Sequence, residues 1–221
     1  MKWSEQAWQT IAPIYSSIIG MPFINEMKEG VLPVSKFQFY MQQDACYLEH
    51  FARALALIGA RATDLNDALS FIRFAENAIV VENALHESYF VDFGVTSGDA
   101  PAPACHHYIH FLKSTAALDA VEIAMAAVLP CFWIYKEVGD HIYQSQQKEG
   151  NPYKKWIDTY AGDEFGVAVK MAIDICDRAA AGTTEAVRAA MTEAFVSASR
   201  LEFDFWDGAY RGRRWCRDDT P

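Results

Sequence analysis

From one end of the chain to the other, apolar residues recur at intervals of three and four, and no alternating run of β-branched residues reaches useful length. Only an α-helix puts positions spaced in that way on one side, because side chains on a strand alternate between its two faces. Start and stop signals then divide the pattern. Ser4 is expected to cap a first helix that runs to about Ile19 and closes at Gly20. A short helix follows near Phe23 to Lys28. Pro33 opens a long one through about Ala60, since a proline in the first turn forfeits no intrahelical hydrogen bond. Asp64 caps the next, which ends at Gly94, and a Gly/Pro/Ser/Ala stretch from Val95 to Pro103 interrupts the periodicity. Further helices are expected over Ala104 to Thr115, Leu118 to Gln147, Pro152 to Tyr160, Asp163 to Ala181 and Thr184 to Ala209.

Several long helices joined by short connections make an all-α helical bundle. The Val95 to Pro103 stretch is too short for a domain linker, so residues 1–221 are expected to form a single domain. Charge narrows the partners. Nineteen Lys and Arg against 29 Asp and Glu leave a formal net charge of -10, which disfavours nucleic-acid binding. The basic cluster Arg211, Arg213, Arg214 and Arg217 adjoins Asp218 and Asp219 and does not reverse that expectation. No apolar run is long enough to span a bilayer, and Met1 to Ser17 lacks the basic start and unbroken apolar run of a signal peptide. Cys46, Cys105, Cys131, Cys176 and Cys216 are odd in number and form neither a CxxC pair nor a zinc pattern. Free thiols, a cytoplasmic location and no membrane partner are expected.

Helical bundles often hold metals, so ligand spacing matters. A di-iron carboxylate site needs Glu-x-x-His motifs, yet the residues three before His50, His86, His110 and His141 are Tyr47, Asn83, His107 and Val138. His106, His107 and His110 cluster on one helix, but no carboxylate or cysteine completes a metal set, so they read as a polar helix start. No nucleophile elbow, phosphate loop or dinucleotide fingerprint occurs.

Three other stretches are unusual. Pro130 lies inside the apolar run Ala124 to Tyr135, where it removes a hydrogen bond and bends the helix. Cys131 follows it, and Tyr135 stands one turn further along the same face. A free cysteine there is ordinarily a packing group. Asp44 and Tyr47 share a face of a long amphipathic helix, and Glu202, Asp204 and Asp207 stand among aromatic residues near the end of another. Such acids are ordinarily the solvated edge of a helix. If Asp44 and Glu202 instead converge on Cys131, they form a covalent-catalysis site.

Four motifs carry a resemblance. Gln43-Asp44-x-x-Tyr47-Leu48, Leu129-Pro130-Cys131-x-Trp133-x-Tyr135-x-Glu137-x-Gly139, Trp156-Ile157-x-x-Tyr160-Ala161 with Phe165, and Glu202-x-x-Phe205-Trp206-Asp207-x-Ala209-Tyr210 are similar to those of the TenA/thiaminase II family. They stand in the family's order over nearly the whole chain, and Cys131 resembles the branch that keeps its nucleophile. The resemblance implies a bundle similar to haem oxygenase but without haem, needing no cofactor, assembled as a homotetramer. It also implies hydrolysis of thiamin or of 4-amino-5-aminomethyl-2-methylpyrimidine to the hydroxymethylpyrimidine.

On that resemblance Cys131 is the nucleophile and Glu202 the proton shuttle. Asp44 would hold the exocyclic amine, Tyr47, Phe205 and Tyr108 would stack on the ring, and Tyr135 and Tyr160 would offer hydroxyls. Two alternatives stay open at this level. One is a regulatory or binding protein of the same fold, and the other is a cofactor-free oxidative enzyme resembling pyrroloquinoline quinone synthase.

Overall fold

The computed structural model describes residues 1–94, 100–145 and 150–216, with the backbone alone for residues 81–91. Nine helices are present among the described residues: α1 (Trp3–Ile19), α2 (Pro22–Glu29), α3 (Val34–Arg61), α4 (Leu65–Phe93), α5 (Pro103–Leu118), α6 (Val121–Ser145), α7 (Lys154–Ala161), α8 (Asp163–Gly182) and α9 (Glu185–Arg211). The expected all-α architecture is therefore what forms. Part of the expected Val95 to Pro103 connection (95–99), part of the turn after α6 (146–149) and Arg217, Asp218 and Asp219 lie outside the described residues.

Most boundary signals act as the sequence implies. The Asp64 carboxylate accepts from the backbone N–H groups of Asn66 and Asp67 at 2.8 and 3.0 Å, closing the N-terminus of α4. Thr184 caps α9 by accepting from Val187 N–H at 3.3 Å. Gly94 ends α4 in the left-handed region at φ 63°, where a side chain would be strained. Ser4 is a correction, because it sits inside α1 and Lys2 takes the cap position. Its amide and hydroxyl both donate to the Asp177 carboxylate, at 2.9 and 3.0 Å, so Ser4 fastens α1 to α8.

The most apolar stretch of the chain becomes the centre of the bundle. Ala124, Met125, Ala126, Ala127, Val128, Leu129 and Pro130 are consecutive and all buried, so α6 is covered on every side there. It packs against α9, α7, α8 and α5, while α3 packs against α4, α5 and α9. The helix continues through Pro130 to Ser145. Where α6 meets α7, Gly139 makes the approach possible: a Cβ there would come within 2.7 Å of the Tyr160 carbonyl carbon. That contact sets Tyr160 against α6. No described helix is long and apolar enough to cross a membrane.

Candidate active site

A cavity of about 470 Å³ opens between α3, α4, α6 and the α7–α8 turn. Helical spacing explains its inner wall. Asp44 and Tyr47 project from one face of α3, Cys131 and Tyr135 from one face of α6, and Tyr160 comes from the end of α7. Asp44, Tyr47, Tyr135 and Tyr160 are each 3 or 4% exposed, and Cys131 is half-buried. Five sequence-predicted site residues from three helices thus meet on one surface.

The other three predicted residues stand close but do not line the cavity. Tyr108 packs its ring 4.9 Å from that of Tyr47, and Phe205 meets Tyr47 edge-on at 5.7 Å. Glu202 is 1% exposed and accepts a hydrogen bond from the Tyr108 hydroxyl at 2.8 Å. These three form a layer against Tyr47. Of the acids near the end of α9, only Glu202 turns inward; Asp204 is exposed and Asp207 is half-buried, pairing with Arg211 and Arg213.

Burial sets the electrostatics of this layer. Removal from water pushes the Glu202 carboxyl up to about 8, helped by the negative charge of Asp44 and opposed by the Tyr108 hydrogen bond. At neutral pH Glu202 therefore keeps its proton. Burial also holds the Tyr47, Tyr108 and Tyr135 phenols well above their ordinary range, so all three remain hydroxyl donors. The Tyr47 hydroxyl is buried beside the Cys131 thiol and the Tyr108 hydroxyl, and both neighbours affect its ionisation.

Behind Tyr135 lies a support that sequence reading did not identify. The Tyr135 and Tyr40 hydroxyls are 3.3 Å apart, and Trp156 Nε1 donates to Tyr40 at 3.2 Å. The Tyr135 ring also packs on Tyr160 and Trp206 at 4.9 and 4.8 Å. The outer wall was missed as well: Phe74, Asn77 and Ala78 of α4, with Thr159, Asp163, Glu164 and Ala168 around the α7–α8 turn. No local motif marks these residues, and only the packing of α4 and α8 around the cavity brings them in.

The histidine cluster stays outside. His106, His107 and His110 are exposed, with the His106 and His110 rings 4.2 Å apart, and no group of three potential ligands is assembled among the described residues. No histidine or arginine is among the described residues that line the cavity.

Comparison with known proteins places nearly the whole chain beside one family. A family model described as TENA/THI-4/PQQC matches residues 8–212. The chain is 35% identical to an aminopyrimidine aminohydrolase of Bacillus subtilis, over 97% of this chain and 92% of that protein. A solved TenA homologue from P. horikoshii superposes with a TM-score of 0.87 at 26% identity, covering 96% of this chain and all of the other. At the level of fold alone, a haem oxygenase-like domain from Shewanella denitrificans gives a TM-score of 0.74 at 17% identity over 94% of this chain and 92% of that one.

Proposed function

The chain belongs to the TENA/THI-4/PQQC family, and from that premise we propose that it is a hydrolase of thiamin salvage acting through Cys131. Its substrate is 4-amino-5-aminomethyl-2-methylpyrimidine, with thiamin as a second, and the product is the hydroxymethylpyrimidine. The observation that carries the proposal is a thiol and a carboxylate on one aromatic cavity, backed by a buried carboxyl that keeps its proton at neutral pH.

The chemistry must expel a group held on a methylene outside an aromatic ring. The Cys131 thiolate adds to a ring carbon and breaks aromaticity, which drives electrons toward that methylene. Glu202 donates its proton to a ring nitrogen as the thiolate adds, so negative charge does not build up on the ring. The leaving group departs with its bonding pair, water adds its hydroxyl to the methylene and gives its remaining proton to the departed amine, and as the thiolate is expelled the ring nitrogen returns its proton to Glu202 and aromaticity is restored. A carboxylate beside a thiol would oppose its ionisation. Because Glu202 is neutral near pH 7, that opposition is reduced. For its proton to reach the ring, the pyrimidine must sit at the closed end of the cavity, against Tyr47. There Asp44 accepts from the exocyclic amine, and Tyr135 and Tyr160 offer hydroxyls.

The protein works in the cytoplasm as a single domain assembled into a homotetramer. An unpartnered apolar stripe on α4 supports that assembly: Leu65, Leu69, Ile72, Ile79 and Val80 are between 45 and 83% exposed. The oxidative alternative would require histidines and arginines on the cavity wall, and the described lining has neither.

Purified protein incubated with the aminomethylpyrimidine should release ammonia and the hydroxymethyl product in equal amounts. Crystals soaked with that product should show it between Asp44, Cys131 and Tyr47. Ammonia release that survives unchanged in a Cys131→Ser variant would overturn the covalent route.

A further inference from the structure

We propose that Tyr40, which lies outside the cavity, is a positioning residue for the reaction. Accepting from Trp156, it donates to the Tyr135 hydroxyl and so turns the Tyr135 proton toward a lone pair of the bound pyrimidine. The inference rests on the hydrolase reading above and adds to it a residue that touches no substrate.

Helical spacing places a backing residue behind two of the cavity residues. Tyr40 stands one turn before Asp44 on α3, and Trp156 one turn before Tyr160 on α7. Neither Tyr40 nor Trp156 lines the cavity, and both are fully buried. Phe23 and Phe205 pack on the Tyr40 ring at 5.2 and 6.0 Å, and Trp156 meets it edge-on at 6.5 Å. Rings packed from several sides have little room to turn, so the Tyr40 hydroxyl stays against Tyr135.

Donor chemistry gives this chain a direction. An indole nitrogen can only donate, so the 3.2 Å contact from Trp156 Nε1 to the Tyr40 hydroxyl runs one way. A hydroxyl that accepts becomes a stronger donor. The 3.3 Å contact between the Tyr40 and Tyr135 hydroxyls is thereby biased toward donation by Tyr40. Tyr135, a phenol that keeps its proton, then directs that proton into the cavity. The opposite direction would turn it into the wall, with Trp156 and Tyr135 both donating to one oxygen. The substrate needs the first arrangement. Its exocyclic amine is a donor, which Asp44 matches, but its ring nitrogens are acceptors, and a carboxylate cannot serve them. A hydroxyl held as a donor can.

The test is a double-mutant cycle on the purified chain, with Tyr40→Phe, Tyr135→Phe and the double variant, each substitution removing a single oxygen. Trp156 is left intact because it also packs on Tyr160 at 4.6 Å. The readouts are kcat and KM for the aminomethylpyrimidine and, by calorimetry, the Kd of the hydroxymethylpyrimidine product. Tyr40→Phe should raise KM and the product Kd about fivefold and change kcat less. In the Tyr135→Phe background the same substitution should change either constant by less than about 1.5-fold, because Tyr40 then has nothing to act through. Equal losses in both backgrounds would make Tyr40 a packing residue and overturn the proposal. Unchanged or tighter product binding in Tyr40→Phe alone would overturn it too, since the opposite hydrogen-bond direction releases the Tyr135 proton when the Tyr40 oxygen is removed. In either case a wild-type chain that hydrolyses the substrate leaves the hydrolase reading standing. A wild-type chain that does not hydrolyse it removes both.

Discussion

Holding the Glu202 carboxyl at 1% exposure in an aromatic layer costs stability near neutral pH, because the unfolded chain ionises it and the folded chain does not. The sign follows from the two proton affinities. The unfolded group titrates near 4.5 and the folded group near 8, so the folded state holds the extra proton between them and stability falls as pH rises through that window. Each unit of that difference is worth about 1.4 kcal/mol. Glu202→Gln removes the penalty while keeping an acceptor for Tyr108. Its melting-temperature advantage over wild type should therefore be several degrees greater at pH 8 than at pH 5, with hydrolysis severely reduced. An advantage equal at both pH values would show that Glu202 is not held protonated. Tyr108→Phe probes the same carboxyl from the other side. The Tyr108 hydrogen bond lowers the Glu202 pKa, so its loss should move the alkaline limb of the rate profile, expected near pH 8, to higher pH. Cys131→Ser should keep the helical circular-dichroism spectrum and melting point close to wild type. Turnover should drop at least about a hundredfold, since a serine hydroxyl is a far weaker nucleophile than a thiolate.

Between elements, α6 and α7 approach each other closely at Gly139. Any side chain there collides with the backbone of Tyr160 and Ala161, neither of which can swing aside as a flexible chain end would. Gly139→Ala should cost about 1–3 kcal/mol in denaturant unfolding and raise KM by displacing the Tyr160 hydroxyl. Unchanged KM with lowered stability would leave Gly139 a packing residue with no bearing on the site. The α4 helix behaves differently, because it packs chiefly on α3 and its N-cap Asp64 is not among the residues that line the cavity. Asp64→Ala should lower stability by about 1 kcal/mol in the same assay and leave kcat within about twofold of wild type. The cap of α4 was legible because it is one side chain bonding amides two and three residues away. Ser4 was misassigned for the converse reason: its partner, Asp177, is distant in sequence, and no local rule anticipates it.

At the scale of the whole molecule, the apolar stripe on α4 bears on assembly. Ile79 is 52% exposed on that stripe, and Ile79→Glu should lower the mass measured by light scattering from that of a tetramer to a smaller species, with helicity retained. A wild-type chain that runs as a monomer would remove the tetramer. Helix content, most boundaries and the all-α class were determined by the chain's own periodicity and caps, which act within a few residues. Resemblance of four local motifs to those of the TenA/thiaminase II family marked Cys131, Asp44 and Glu202 before any contact was known, because a motif is a local run that can be read without the fold. Tertiary structure alone decided that Asp44 and Glu202 are buried, that Tyr108, Phe205 and Glu202 stand behind Tyr47, and that α4 and α8 supply an outer wall. An isolated helix gives a carboxylate the same periodicity whether it faces water or an aromatic layer. Only the desolvation imposed by neighbouring helices moves a proton affinity from 4.5 to about 8, and those neighbours come from parts of the chain far apart in sequence.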